Sequence, residues 1–368
     1  MVESMNNKQT KPVVATKAKT QVRTPSVRKA PVPAPAKRVV PVPAKRAVPV
    51  PSKPAVRRQE ESKVASDALP DCTVGPAADF KDVLAQRNLE IVGEDMKLQV
   101  RGAPGPLPEM DQAEYEAVGD AVGGWVQQHM KEHFGMKEIW IGGTGNAPKS
   151  NIFVSDDFTT NTERCLVFVQ GAGPARAGVW ARSVCVNDNL TLGSMIPMLQ
   201  FAKEFNFSVI VLNPNMAVDP VPGAPNGTPA TRQGHCDYVW RNFLAKSKTK
   251  SANRCAAEKF AVVAHSAGGR LIAGWTDKFK VEFLERVEAL VFTDAYYHAM
   301  FKQVWSKAQL QRLSDIGLHF KAYKTEHKAV GVPFKTSNGA ITEVSAGTDV
   351  HYYTTGLATQ HALNFIIG

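Results

Sequence analysis

The sequence predicts an α/β domain with a mostly parallel central sheet covered by helices on both faces, and three observations predict it. Short runs of apolar, often β-branched residues recur, among them CLVFVQG (165–171), SVIVLN (208–213) and KFAVVAH (259–265). Stretches with helical spacing separate them, the pattern of strand–helix–strand units. The runs lack polar alternation, as strands buried on both faces do. Such sheets use right-handed crossovers and carry reactive groups at the carboxyl ends of their strands.

The elements follow in order. From about Ala78 the composition becomes mixed apolar and charged, and in EYEAVGDAVGGWVQQHMKEHFGM (114–136) Tyr115, Val118, Val122, Val126 and Met130 fall at helical intervals. NIFVS (151–155) and CLVFVQG read as strands, the second closed by glycine. After the loop AGPARAGVWARS, the positions of Leu192, Met195, Ile196, Leu199 and Ala202 mark a helix, and SVIVLN is the next strand. Residues 214–234, rich in Pro, Gly, Asn and Thr, read as an excursion at the carboxyl edge of the sheet, where long loops are often functional. A helix around Tyr238–Lys246, the strand KFAVVAH and a glycine-led helix from Gly268 come next. The strands ALVFTD (289–294) and AITEVSAG (340–347) and a closing helix in TTGLATQHALNFI complete the order.

The charge is unevenly distributed. The chain carries a net +10, yet residues 1–58 hold 14 Lys and Arg against the single acid Glu3, so the remainder is slightly acidic. That segment also holds ten of the 24 prolines and no aromatic residue or cysteine. It cannot bury enough apolar surface to offset the entropy of ordering it. Residues 1–70 therefore read as a disordered Pro/Ala/Lys-rich basic tail and 78–368 as the folded domain. Within the tail VPAPAKRV, VPVPAKRA and VPVPSKPA repeat as octads from 32 to 55, favouring extended polyproline segments with spaced charges. Two readings stay open: salt-sensitive, sequence-blind contact with nucleic acid or acidic partners together with nuclear import, or a solubilising spacer.

No early apolar segment suggests a secretory signal and no run of 18 apolar residues suggests a membrane span, so no membrane partner is expected. Cys72, Cys165, Cys185, Cys236 and Cys255 form an odd set without a CxxC pair. They read as reduced thiols of an intracellular protein, and neither a metal nor a cofactor is expected.

VVAHSAGG (262–269) sets Ser266 between a β-branched run and paired glycines. A nucleophilic serine on a strand-to-helix turn needs small residues two places before and after it, and Ala264 and Gly268 meet that need. Alternatively, Ser266 is a small residue in a tight turn. A serine hydroxyl needs a general base, itself oriented by an acid. Asp294 at the end of ALVFTD and His351 after the last strand follow in that order, with Asp349 the rival acid and His298 and His361 the rival bases. Structural alternatives are a helix N-cap for Asp294 and a plain loop histidine at 351. Oxyanion donors are the amide of Ala267 and, in VQGAG, that of Ala172 or Gly173, with Gly171 and Gly173 allowing close backbone approach. In RAGVWAR (176–182), Arg176 or Arg182 reads as an anion clamp with Trp180 walling the pocket, or else as ties through buried carboxylates such as Asp188 or Asp294.

FVQGAGPARAGVWARSVCVNDNLTLGSMIPMLQFAKEFNFSVIVLNPN, FAVVAHSAGG, ALVFTDA and VSAGTDVH together resemble the Arb-two (argonaute-binding protein 2) domain family, over roughly residues 80–368. The RAG-x-WAR block followed by VIVLNPN is the most specific part. The resemblance implies an α/β-hydrolase fold, a nuclear or otherwise cytoplasmic location, and linkage to argonaute, small-RNA, histone-modifying or other chromatin silencing complexes. Family members usually read HGSG where this chain has Gln170-Gly171-Ala172-Gly173, and often have an aromatic residue where it has Ala267. Both departures fall on the oxyanion region. Two functions are therefore expected: a scaffold or regulator in silencing and RNA processing complexes, or a serine hydrolase of esters or amides.

Overall fold

A strand with every residue buried must be covered on both sides, and Phe207–Val211 and all but the first residue of Arg164–Val169 and Lys259–His265 are buried. A computed structural model describes residues 79–142, 149–216, 231–246, 253–297, 304–323, 328–334 and 340–368. All of these lie in the unit Asp67–Gly368. The tail at 1–70, His298 and residues 217–230 of the excursion lie outside the described residues.

The chain opens with α1 (Phe80–Gln86) and an antiparallel hairpin of β1 (Leu89–Val92) and β2 (Lys97–Val100). Then come α2 (Gln112–Phe134), β3 (Lys137–Gly142), β4 (Lys149–Val154) and β5 (Arg164–Val169). Short helices α3 (Arg182–Asn187) and α4 (Leu190–Gly193) lead into α5 (Ile196–Glu204) and β6 (Phe207–Val211). After α6 (Arg232–Val239) and a π-helical turn at Trp240–Leu244 the chain runs through β7 (Lys259–His265), α7 (Gly268–Arg286) and β8 (Val287–Thr293). It closes with α8 (Lys307–Ile316), β9 (Gly317–Lys321), β10 (Thr342–Ser345), a 3-10 turn at His351–Tyr353 and α9 (Thr354–Ile367).

The large sheet has eight strands in the order β10-β9-β8-β7-β5-β6-β4-β3. From β10 to β6 every pairing is parallel, and β4 and β3 add an antiparallel edge. Because β6 and β7 flank β5 on opposite sides, the strand order reverses there. Loops leaving the carboxyl ends of β5, β6 and β7 therefore part around a crevice, the position where such sheets place their sites. The parallel strands, helices on both faces and antiparallel edge make this an α/β-hydrolase fold.

Alternate side chains of each strand enter two separate cores. Leu166, Phe168, Ala261, Val263 and Val291 pack with α2, α5 and α9. Val167, Val169, Val262, Ala264 and Phe292 pack with α6, α7 and α8, against an aromatic group in which Trp240 lies 5.0 Å from Trp275. Helix α2 shows why its segment folds locally. Asp111 accepts the Glu114 amide while the Glu114 carboxylate accepts the Asp111 amide, a reciprocal cap, in a position where capping stabilises by roughly 1 kcal/mol. Gly135 ends the helix at φ 62°, and the buried stripe Val118, Val122, Val126 and Met130 faces the sheet. Among the described residues no helix is long and apolar enough to cross a membrane.

Candidate active site

Ser266 stands at the turn from β7 into α7 with φ 52°, a left-handed conformation costly for a residue with a Cβ. The turn is over-determined: its N–H donates to Thr293 O at 3.1 Å, and its carbonyl accepts from Gly269 N at 3.1 Å and Tyr296 N at 2.9 Å. The small residues around it have a visible reason. A Cβ on Gly268 would lie 2.6 Å from Val169 O, so β5 and the start of α7 leave no room for one. Ala264 is fully buried in β7.

His351 opens the 3-10 turn after β10, and Asp294 follows β8 at φ 42°. Asp294 is not a helix N-cap, since the described residues after it are not helical. Its Oδ1 accepts from Ala322 N at 3.3 Å, and its Oδ2 lies 2.6 Å from His351 Nδ1. A carboxylate can only accept, so His351 Nδ1 carries the proton. Nε2 is then the acceptor in the neutral ring, and Ser266 Oγ lies 2.9 Å from it. Burial pushes the Asp294 carboxyl up, but the His351 hydrogen bond and charge, the Ala322 amide and His319 outweigh it, leaving Asp294 below its ordinary value. It stays ionised and keeps His351 in the tautomer that accepts from Ser266. The structure thus brings Ser266, His351 and Asp294 into one hydrogen-bonded chain. Asp349 makes no hydrogen bond to His351, and His361 is exposed on α9.

The two alanine amides assigned to the oxyanion also reach this rim. Ala267 follows Ser266 directly, and Gly171 lies so close that a Cβ on it would be 2.8 Å from Ser266 Cβ. Neither the Ala267 nor the Ala172 N–H is engaged by another group among the described residues. Gly173 takes φ 107°, and no atom of the described residues lies within 4 Å of where a Cβ would point.

The other three sequence candidates have structural surroundings. Trp180 is 3% exposed and packs edge-to-face on Phe168 at 5.7 Å, inside the core with α2 and not along a pocket wall. Arg182 pairs with Asp120 of α2 at 3.3 Å, and Asp188 accepts instead from the Tyr353 hydroxyl at 2.6 Å, so the tie to Asp188 or Asp294 is replaced. Arg176 is half-buried beside α2 and forms no ion pair among the described residues.

Sequence reasoning missed a second layer of polar residues. His265 is buried beside Ser266 with its ring 4.8 Å from that of His351, and its Nδ1 lies 2.9 Å from Thr293 O and 3.1 Å from Thr355 Oγ1. Burial first, and the nearby His351 second, lower its pKa to about 3, so it is neutral. On the other flank His235 Nε2 accepts from Asn213 N at 3.1 Å while its Nδ1 meets Ser150 Oγ at 3.1 Å. Asn213 in turn accepts from Gln170 Nε2 at 3.2 Å and Ala177 N at 3.1 Å. The only sequence signal was polar residues just past β6 in VLNPN.

A group able to deprotonate a hydroxyl, a carboxylate that orients it and two unengaged amides form the apparatus for attack on an acyl carbon. Among the described residues no cluster of three His, Cys, Asp or Glu side chains is arranged to hold a metal.

Residues 108–219 match the Arb2 domain. The chain is 29% identical over 225 residues to the cotranscriptional regulator ARB2A homolog of Dictyostelium discoideum, an alignment covering 51% of this chain and 55% of that protein. It is 26% identical over 311 residues to the human cotranscriptional regulator ARB2A, covering 67% and 69%. It thus spans about half the length of the first of these relatives and about two thirds of the second. A solved histone deacetylase structure from Saccharomyces cerevisiae aligns over 68% of this chain and 96% of that one, with 11% identity and a TM-score of 0.42. Over the stretch from α2 to β6 the chain is thus similar to the Arb2 domain, and it shares wider similarity with the cotranscriptional regulator ARB2A proteins, on an α/β-hydrolase fold.

Proposed function

We propose that the domain is a serine hydrolase of esters or amides, with the strained Ser266 turn as its nucleophile elbow. The 2.9 Å and 2.6 Å spacings along Ser266–His351–Asp294 carry this reading. Ser266 Oγ attacks the acyl carbon while its proton passes to His351 Nε2, and Asp294 stabilises the resulting imidazolium. The Ala172 and Ala267 amides hold the oxyanion. His351 then protonates the leaving group, and water, deprotonated by the same ring, releases the acyl group. A fluorophosphonate probe tests this: wild type becomes labelled and Ser266→Ala does not. Absence of labelling in well-folded wild type sinks the hydrolase.

A second reading is favoured by the relatives, which are cotranscriptional regulators. In it the chain is a nuclear regulator or scaffold in argonaute, small-RNA, histone-modifying or RNA processing complexes, and the basic tail adds salt-sensitive polyanion contact. Removing residues 1–58 then abolishes nuclear enrichment of a tagged chain and weakens polyanion binding at low salt. Unchanged behaviour in both assays removes the tail from the account. The two readings are compatible, because a chain that belongs to such a complex can also carry a reactive serine.

A further inference from the structure

An oxyanion amide is useful only if its peptide is turned the right way, and a trans peptide points its N–H and C=O to opposite sides. The Gly171–Ala172 peptide leaves the end of β5, which lies between β6 and β7. Its carbonyl accepts from Asn215 Nδ2 at 2.7 Å, and the same nitrogen donates to Ala175 O at 2.8 Å. Asn215 comes from the chain just past β6, whereas Ser266 comes from the chain just past β7.

From this arrangement we infer that Asn215 is the positioning residue of the oxyanion site: by holding the Gly171 carbonyl toward β6 it turns the Ala172 N–H toward β7 and Ser266. The catalytic consequence rests on the hydrolase reading, while the orientation of the peptide does not.

Three further observations support the assignment. Asn215 is 8% exposed, and among the described residues its Oδ1 is buried without a hydrogen-bond partner, so the two donated hydrogen bonds are the polar contacts of this amide there. Asn213, two residues earlier, holds Gln170 and Ala177. The loop is therefore pinned at both ends by Asn213 and in the middle by Asn215, and only the middle contact bears on Ala172. Finally, Gly171 lies against Ser266 and His265, so a rotated 171–172 peptide cannot be absorbed by moving the loop toward β7.

The test uses the full chain with Asn215→Ala, and Asn215→Ser as a milder variant retaining one donor. Hydrolysis of p-nitrophenyl acetate and fluorophosphonate labelling report the chemistry. Labelling with carbonyl-13C glycine and 15N alanine reports the peptide directly, because the sequence holds only four Gly–Ala pairs, at 102, 171, 223 and 339. Asn215→Ala is expected to lower kcat about 100-fold with KM within about twofold, and Asn215→Ser to fall between it and wild type. The 171–172 cross-peak moves while the 102–103 and 339–340 peaks stay. An unmoved 171–172 peak, or a wild-type kcat in a folded Asn215→Ala protein, overturns the assignment. If wild type neither turns over nor labels, the hydrolase reading is lost and the cross-peak alone decides whether Asn215 orients the peptide.

Discussion

The backbone N–H of Tyr296 donates to the carbonyl of Ser266 at 2.9 Å, tying the turn that bears Asp294 to the turn that bears the serine. Both turns hold a non-glycine residue in the left-handed region, at φ 52° and 42°. Each is kept there by neighbours, Ser266 by Thr293 and Asp294 by Phe320, whose carbonyls accept their amides at 3.1 and 2.7 Å. Strain of this kind costs about 1 kcal/mol per residue and persists only where surroundings impose it. Ser266→Gly and Ser266→Ala both lose the hydroxyl, but only the glycine relieves the backbone. Ser266→Gly should therefore melt above Ser266→Ala by roughly 2–4 °C, the shift that about 1 kcal/mol produces in a domain of this size. Equal melting temperatures in calorimetry mean that the turn is unstrained.

Close approach of backbones around the serine leads to a second prediction. A Cβ on Gly171 meets Ser266 Cβ at 2.8 Å and His265 Cδ2 at 3.2 Å, and one on Gly268 meets Val169 O at 2.6 Å. Overpacking a rigid site costs about 1–3 kcal/mol. Gly268→Ala presses on backbone that cannot rotate away, so it destabilises by that amount in urea unfolding. Gly171→Ala presses on the nucleophile, so its loss appears mainly in the rate of fluorophosphonate labelling, by at least about tenfold, since one preorganised donor contributes 10²–10³. A Gly171→Ala protein that labels at the wild-type rate refutes the close approach.

The hydrogen-bonded chain of Ser266, His351 and Asp294 was readable in the sequence because its members stand at or just after the ends of buried strands, where a parallel sheet exposes side chains, and because buried strands announce themselves as apolar runs. The same logic delivered β5, β6, β7 and β8 within a few residues. It missed β9, whose five residues Gly317–Lys321 include the buried His319 and no apolar run, and β3, an edge strand whose Trp140 is 54% exposed. Trp180 and Arg182 were harder. Whether an indole in a loop walls a pocket or fills a core depends on α2, about 55 residues earlier, and nothing local in RAGVWAR records that Gly119 leaves space for the Arg182 stem. The asparagine contacts to the 170–177 loop span about 40 residues and leave no spacing to find.

Two buried histidines contribute to the loss of stability in acid. Burial lowers His235 and His265 from 6.5 to about 3. Between those values each binds a proton only when unfolded. Their contribution is fully present above pH 6.5 and lost as pH falls toward 3, with a slope of roughly 1.4 kcal/mol per pH unit for each. Urea unfolding at pH 7, 6 and 5 should show that decline. His235→Gln, which does not titrate, should start less stable at pH 7 because Asn213 N and Ser150 lose their partner, yet show a shallower slope below pH 6. An unchanged slope in that variant excludes His235 as a contributor.

Asp294→Asn separates the geometry of the triad from its electrostatics. The amide is nearly isosteric, so the fold survives, and the orientation that keeps its oxygen on Ala322 N turns its N–H toward His351 Nδ1. An Asn that offers its N–H to His351 Nδ1 selects the opposite tautomer, in which Nε2 carries the proton and cannot accept from Ser266 Oγ. If the amide instead presents its oxygen, it still provides no charge to stabilise the imidazolium formed during attack. Either way the step from Ser266 to His351 slows, and loss of this carboxylate in triads of this geometry lowers kcat about 10⁴-fold. Because the Asp294 pKa is depressed, its contribution to stability is present above the usual carboxylate range and is lost as pH falls below about 4. The variant should therefore lose stability at pH 7 and match wild type more closely near pH 3, while binding a non-hydrolysable ester analogue with unchanged affinity. Retained turnover in Asp294→Asn, measured against Ser266→Ala as the background, shows that His351 is oriented by some other group.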